Sequence, residues 1–169
     1  MKHIGVAILS RKKRWLIELF IMALLFWAVT AWQQRDLIKP SQVVPSFTLE
    51  QLATHTPTPI HMTGQRTLIY FFAPWCSICK LSMNNLNHID TTNLRVVAVA
   101  LDYQDEASVA AFVADQEIHV PVLLGTSEVA AAFRINVFPT YYVLDEKGSV
   151  DSRSVGYSSE IGMKLRTGW

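Results

Sequence analysis

The sequence has few cysteines and almost no net charge. Its 169 residues include two cysteines, and the formal net charge is +1 at pH 7. Two cysteines cannot form the several disulfides that hold together a small secreted scaffold. Beyond position 14 the basic residues are spread thinly, without the clustered Lys and Arg of a nucleic-acid-binding face. We therefore expect neither a disulfide scaffold nor a nucleic-acid partner.

The N-terminal part of the sequence combines a basic cluster with a long apolar run. Arg11–Arg14 are all basic, and Trp15–Trp32 then contain a single charge, Glu18. As a helix this run would be roughly 27 Å long, close to the about 30 Å of a bilayer's hydrocarbon core. Basic flanks of such spans remain in the cytoplasm. The pattern predicts a cytoplasmic segment at 1–14, a transmembrane anchor at 15–32, a stalk at 33–42 and a folded domain at 43–169.

This orientation predicts that the domain lies on the outer face of the membrane. A cleaved signal peptide is the alternative, because Val29-Thr30-Ala31 offers small residues near a cleavage site. The apolar run exceeds the about 7 to 15 residues usual for a signal peptide, which favours a single-pass anchor. Both alternatives export the domain.

Beyond the stalk, β-prone runs alternate with helical patterns, and no internal repeat interrupts them. Half of the residues are hydrophobic, which is sufficient for the core of one domain. The pattern predicts an α/β fold whose central mixed sheet carries helices on both faces. The main strand predictions are 67–73, 95–101, 120–124, 140–144 and 149–155, and the helix predictions after the cysteines include 105–115, 127–133 and 157–166.

The two cysteines stand as Cys76-Ser77-Ile78-Cys79, directly after a predicted buried strand. Disulfide exchange needs a thiolate that attacks a disulfide sulfur and a second thiol that resolves the mixed disulfide. At the start of a helix this spacing puts both thiols on the first turn, where free backbone N–H groups favour a thiolate at the first position. We therefore predict that Cys76 is the nucleophile and Cys79 the resolving thiol.

The same cysteine spacing also occurs in metal sites. A closed zinc site needs four ligands, and the five histidines are scattered along the chain without forming a second pair. We therefore predict no metal site and no resident cofactor. Two thiolates can nevertheless hold a soft cation. A copper-binding or metallochaperone module that uses the same dithiol thus stays open as the alternative function.

A second motif, Phe138-Pro139-Thr140, opens another β-prone run. Proline is unusual where a strand begins. Together with the segment Phe71–Lys80, this motif resembles the active-site segment and the cis-proline loop of thioredoxin-fold proteins. From Val43 onwards the chain is similar to the TlpA/ResA branch of membrane-tethered bacterial oxidoreductases. Within that branch, Val155-Gly156-Tyr157 and Gly162–Arg166 are most similar to the suppressor-of-copper-sensitivity D type.

The resemblance implies a thioredoxin-like fold in which Pro139 is cis and faces the cysteine pair. It also implies that Trp75 and Phe138 line a substrate groove and that Gly156 lies on a neighbouring loop. Core packing for the aromatic rings and an ordinary turn for the glycine are the alternatives. The implied location is the periplasmic, or outer, face of a bacterial cytoplasmic (inner) membrane. The implied partners are cysteine-containing exported proteins and a membrane protein that donates electrons. The direction of electron flow stays open, with a reductase and a role in copper tolerance favoured.

Two positions depart from the pattern of the related proteins. Thioredoxin has a buried aspartate on the strand before the motif, where this chain has Tyr70. The TlpA/ResA branch commonly has a glutamate three residues after the second cysteine, where this chain has Ser82. A nearby carboxylate could exchange a proton with the buried thiol, so these replacements remove an obvious general base. Asp102 is the candidate substitute, and a surface or capping role is its alternative.

Overall fold

The structure, a computed structural model, describes the backbone of residues 3–168 and the side chains of residues 13–168 except those of residues 30, 32 and 33. It divides the chain into two compact units, Met1–Asp36 and Leu37–Trp169.

The first unit contains one helix, α1 (His3–Gln34). The described apolar side chains between Trp15 and Val29 are exposed, and Arg14 forms an ion pair with Glu18 at 3.3 Å. Within the part of the chain described here, no helix is both long and apolar enough to cross a membrane. Two positions of the predicted span, 30 and 32, and most of the predicted cytoplasmic segment lie outside the described side chains. The transmembrane anchor stays a prediction.

The second unit is built on a seven-stranded mixed sheet with the strand order β2-β1-β5-β4-β3-β6-β7. The three central strands β5, β4 and β3 are parallel, and all other pairings are antiparallel. The strands are β1 (Thr48–Gln51), β2 (Pro57–Pro59), β3 (Arg66–Phe72), β4 (Leu94–Ala100), β5 (Val122–Leu124), β6 (Thr140–Leu144) and β7 (Val150–Val155). The helices are α2 (Ser77–Ser82), α3 (Glu106–Asp115), α4 (Ser127–Ala132) and α5 (Glu160–Thr167), with a short 3-10 helix at Met83–His88.

Both faces of this sheet are buried, which confirms the predicted mixed sheet between helices. In β3, Leu68, Tyr70 and Phe72 pack in one cluster, whereas Ile69 and Phe71 pack in the other. Successive side chains of a strand point to opposite faces, so a strand covered on both sides must be apolar throughout. Helices α2, α3 and α5 contribute to the first cluster, and α4 contributes to the second.

The second unit begins six residues before Val43, where the sequence predicts the start of the domain. Leu37 and Ile38 are buried in the cluster that contains α4. Arg153 on β7 donates hydrogen bonds to the carbonyls of both residues. Their polar neighbours in the sequence favoured the prediction of a stalk. In the structure, the burial of their apolar side chains makes them part of the compact unit.

Two predicted element boundaries also shift. The C-terminal helix begins at Glu160 rather than Tyr157, because the Ser159 hydroxyl accepts a hydrogen bond from Gly162 N–H and caps the helix there. The sequence also predicts a small N-terminal hairpin whose strand segments, 47–49 and 60–62, flank a Thr/Pro-rich stretch. The structure instead pairs Thr48 with Pro59 and Glu50 with Pro57, so the second strand lies within that stretch.

Candidate active site

The first cysteine lies where the chain passes from β3 to α2. Cys76 caps the N-terminus of the helix with an extended backbone, and its N–H donates to the Ala73 carbonyl at 3.0 Å. The backbone N–H of Cys79 donates to Cys76 Sγ at 3.2 Å. The sulfur thus takes the place of a side-chain oxygen at a helix N-cap. A donor aimed at this sulfur stabilises negative charge on it.

The second cysteine occupies a different environment one turn further on. Cys79 is fully buried, whereas Cys76 retains 5% of its surface. Burial raises the pKa of the Cys79 thiol, and its hydrogen bond with Cys76 raises that pKa further. Cys79 therefore remains a thiol at neutral pH. The helix start predicted from the sequence brings the two cysteines together in this unequal arrangement.

The predicted groove residues Trp75 and Phe138 contact each other beside the cysteines. Their ring centroids lie 5.8 Å apart with the rings nearly perpendicular, a favourable edge-to-face arrangement. Trp75 remains 62% exposed, and its Nε1–H donates to the Asp102 carbonyl at 2.9 Å. Trp75 is therefore held in place at the surface rather than packed in the core.

The contact of Asp102 with the site is made through its main chain. This residue has a left-handed backbone, with φ of 50°, which presents its carbonyl to Trp75. The side chain of Asp102 is exposed. These observations favour the surface role over the role of a buried base for Cys79.

The other predicted groove residues form the adjoining loop pair. The Phe138–Pro139 peptide bond is cis, in agreement with the expectation drawn from the resemblance. The Pro139 carbonyl accepts a hydrogen bond of 2.8 Å from Gly156 N–H. Gly156 has φ of +81°, and a Cβ there would meet no atom within 4 Å. The backbone conformation, not lack of space, therefore favours glycine at this position.

Three further apolar residues are exposed next to these motifs. Ile78 lies between the cysteines, Val137 precedes Phe138, and Tyr157 follows Gly156; each exposes more than two fifths of its surface. Sequence reasoning did not assign them to the groove. Their position next to the motif residues could have identified them in the sequence. Large apolar side chains that are exposed around one site indicate a surface that binds protein.

The two positions that depart from the related proteins meet inside the domain. The hydroxyls of Tyr70 on β3 and Ser82 on α2 are hydrogen-bonded at 2.7 Å, and both side chains are fully buried. The two residues are 12 positions apart, so the sequence pattern did not reveal this contact. Burial raises the pKa of Tyr70 well above its usual value. The pair is therefore neutral.

The described residues include no group of three or more His, Cys, Asp and Glu side chains that could hold a metal ion. The chemistry that the arrangement supports is exchange between a dithiol and a disulfide, because an N-capping sulfur and a buried sulfur lie within one helical turn.

Comparison with known proteins identifies the family to which the sequence is similar. A profile of the Redoxin family matches residues 39–165. Thioredoxin-like protein YneN of Bacillus subtilis is 27% identical over 166 residues, which cover 91% of this chain and 96% of that protein. Sporulation thiol-disulfide oxidoreductase A of Bacillus subtilis is 23% identical, with 83% of this chain and 87% of the relative covered.

A solved structure has the same fold. The crystal structure of StoA from Bacillus subtilis superposes with a TM-score of 0.65 at 24% identity, and the match covers 76% of this chain and 99% of that one. The likeness extends over nearly all of the solved protein and supports the thioredoxin-like fold.

Proposed function

Because the chain belongs to the Redoxin family and is a thiol-disulfide oxidoreductase, we propose that its Cys76–Cys79 dithiol exchanges disulfides with exported proteins outside the cytoplasmic membrane. The Cys76 thiolate attacks a substrate disulfide and releases one substrate sulfur. The thiol of Cys79 then attacks Cys76 and releases the other, leaving a disulfide between the two cysteines. The substrate is reduced by two electrons and the enzyme is oxidised by two.

The unequal environment of the two sulfurs carries this proposal. Cys76 Sγ accepts the Cys79 N–H at the helix terminus, whereas Cys79 is fully buried and its pKa is raised. A nucleophile needs a stabilised thiolate and access to substrate, and a resolving thiol should remain protonated until the mixed disulfide forms. The order of attack therefore runs from Cys76 to Cys79.

The proposed substrate surface consists of Trp75, Phe138, Pro139 and Gly156. The edge-to-face ring pair and the hydrogen bond between the two loops hold these residues in one arrangement. Aromatic surface suits the docking of a polypeptide. In this proposal an extended substrate segment lies along the loops and presents its disulfide to Cys76.

The location and the electron supply form a second part of the proposal. The basic cluster Arg11–Arg14 and the apolar run Trp15–Trp32 support a single-pass anchor in the inner membrane, with the domain on the outer face. The resemblance to the TlpA/ResA branch supports a reductase that receives electrons from a membrane protein. The finer resemblance supports copper-handling exported proteins as one substrate class.

A trapping experiment tests the order of attack. Cys79→Ser removes the resolving thiol, so mixed disulfides with substrates should accumulate as higher-mass species in cells quenched with acid without reductant. These species should collapse on addition of dithiothreitol. Cys76→Ser is the matched control, because it retains one thiol in the same site and should form few adducts.

Two outcomes would contradict the proposal. Equal adducts from both variants would mean that the thiols are not ordered as nucleophile and resolver. Absence of adducts from either variant would favour the copper-binding alternative, which requires no covalent partner.

A further inference from the structure

The interior side of the redox site contains two hydroxyls in series. Ser82 lies three residues after Cys79, one turn along α2, and Tyr70 reaches it from β3 with an oxygen–oxygen distance of 2.7 Å. Tyr70 belongs to the same buried cluster as both cysteines. The pair therefore joins the helix that carries the cysteines to the strand beneath it.

The hydrogen atoms of this pair can be assigned from its contacts. Ser82 Oγ donates to the Ile78 carbonyl at 3.2 Å, and a serine hydroxyl has one hydrogen to give. The bond of 2.7 Å must then be donated by Tyr70 to Ser82. Both hydroxyl hydrogens are therefore used in hydrogen bonds, and the series ends at the carbonyl of Ile78, the residue before Cys79. This series of bonds fixes the first turn of the helix.

Among the described residues of the buried cluster that contains Cys79, none carries a carboxylate or an imidazole that could take the proton of this thiol. Among the described residues whose side chains are buried as a whole, the polar ones are serines and threonines, and the titratable ones are cysteines and tyrosines. His61, whose ring nitrogens are buried, is half-buried overall and lies beside the turn between β6 and β7. On β3 and β6, Tyr70 and Tyr141 stack with ring centroids 6.3 Å apart. From α5, Arg166 donates to the Tyr141 hydroxyl at 3.2 Å. This side of the site thus presents a guanidinium and two phenol side chains, and none of these three groups is a carboxylate or an imidazole.

The charged groups on the remaining sides are exposed. Lys80 on α2 pairs with Asp115 on α3 at 3.9 Å, and both side chains are more than half exposed. Asp102 on the neighbouring loop contacts the site through its carbonyl. The other thiol of the pair, Cys76, contacts Cys79 and is 5% exposed, whereas Cys79 is fully buried. A proton leaving Cys79 therefore has a route only toward the surface.

We propose that Tyr70 and Ser82 are positioning residues that hold Cys79 in a neutral enclosure, so that its proton leaves toward solvent or the departing substrate sulfur. The inference rests on the proposed order of attack. In the resolving step the bond between Cys76 and the substrate sulfur breaks as the Cys76–Cys79 bond forms. The electron pair of the broken bond leaves with the substrate thiolate. The proton of Cys79 passes to water, hydroxide or that thiolate.

This enclosure predicts the pH dependence of the resolving step. When the departing thiolate is too weak a base to take the proton, the rate follows the fraction of Cys79 that is deprotonated. That rate should rise about tenfold for each pH unit between about pH 6 and about pH 9. A buried carboxylate would act as a general base instead, and the rate would level off above the pKa of that carboxylate.

The experiment uses the full-length, reduced chain in detergent and an aromatic nitro-disulfide whose halves absorb light when released. Attack by Cys76 releases the first half, and resolution by Cys79 releases the second. Loss of the first release in the wild type would contradict the proposed function. The pH profile of the second release tests the enclosure separately, because it is measured only after the first release has occurred.

Two variants at position 82 sharpen the test. Ser82→Glu introduces a base beside Cys79, and Ser82→Gln is its matched control of similar size without a titrating group. At about pH 7 the second release should be at least about tenfold faster in the Glu variant than in the Gln variant, with a profile that levels off. Equal profiles in two folded variants would overturn the inference that proton acceptance is missing.

Tyr70→Phe tests the positioning role without adding a charge. Removal of the hydroxyl should slow the second release severalfold at every pH while the slope of the profile remains unchanged. An unchanged second release would contradict the role of Tyr70. If the variants at position 82 do not fold, the wild-type profile remains decisive, because levelling off below about pH 8 would reveal an acceptor that the enclosure excludes.

Discussion

The two faces of the sheet each bury a tyrosine whose hydroxyl joins separate parts of the chain. The redox face is the face of the sheet whose buried cluster contains Tyr70 and both cysteines. On this face, Tyr70 donates to Ser82 and thereby supports the helix that carries the cysteines. On the opposite face, the hydroxyl of Tyr142 accepts a hydrogen bond from Ile38 N–H at 3.2 Å and donates one to the Phe133 carbonyl at 2.8 Å. The first hydroxyl lies in the same buried cluster as the two cysteines, and the second holds Ile38 at the start of the compact unit.

This comparison separates stability from chemistry. A buried phenol has one donor and limited acceptor capacity, and both faces use these to tie a segment to the sheet. The consequences differ because, in the proposed exchange reaction, Cys79 on the redox face must lose a proton. A change on the opposite face should therefore weaken the fold without altering the reaction of folded molecules.

The largest effect is expected for the opposite face. Tyr142→Phe leaves the Ile38 N–H and the Phe133 carbonyl without this partner, at a cost of about 2 kcal/mol in the free energy of unfolding. Urea unfolding measures the loss. Both releases from the aromatic disulfide should keep their wild-type rates, in contrast to Tyr70→Phe. A slower second release in Tyr142→Phe would mean that the two faces are coupled, which would break the comparison.

An intermediate effect is expected from alkaline pH, through the redox face. Burial raises the pKa of Cys79 above its unfolded value of 9.0, so the folded chain keeps a proton that the unfolded chain has lost. The free energy of unfolding should thus fall as pH rises above this value, by at most about 1.4 kcal/mol per pH unit for one group. Urea unfolding of the reduced chain at a series of pH values measures the slope.

The matched control for this slope is Cys79→Ser, which should lose part of it. Buried tyrosines contribute only above their unfolded pKa of 10.0, because burial raises the folded pKa of Tyr142 to about 12 and the two states differ in bound protons between these values. A slope just above the unfolded pKa of Cys79 that is equal in the wild type and in Cys79→Ser would contradict the buried thiol environment.

The smallest effect is expected for two glycines that differ in location. Gly156 lies next to Pro139 and Gly64 precedes β3; both have positive φ, and neither has an atom within 4 Å of an added Cβ. Alanine at either position should cost about 1 kcal/mol in unfolding free energy, from backbone strain alone. Thermal unfolding measures this cost.

Only the alanine next to Pro139 should slow exchange with a protein disulfide if the proposed groove is correct. Gly64→Ala serves as the matched control for stability. Equal exchange rates in the two variants would remove Gly156 from the groove and leave it the ordinary turn that the sequence kept as an alternative.

Sequence patterns predicted the central strands well and the edges of the domain less well. The buried strand β3 and the helix start at Cys76 could both be predicted from the sequence, because strand burial and helix starts depend on neighbouring residues. The start of the compact unit at Leu37 could not be predicted from the sequence. Leu37 and Ile38 are surrounded by polar residues in the sequence, and their burial depends on β6 and β7, more than 100 residues away.

The role of Asp102 shows the same limit. Its position after a buried strand made it a candidate base, since loops at strand ends often carry functional side chains. The backbone conformation at this residue turns the carbonyl toward Trp75 instead. Which of its groups meets the site depends on the local dihedral angles, which residue type alone does not specify.

The sequence by itself determined the dithiol and its order along one helix. The two cysteines are three residues apart and follow a buried strand. This spacing determines their proximity locally, because one turn of a helix brings such residues together independently of the rest of the chain. The tertiary structure decided what surrounds those sulfurs. The contact of Tyr70 with Ser82 and that of Trp75 with Phe138 join separate elements across the fold. Such contacts follow from strand register and helix packing, which arise only when the whole core assembles.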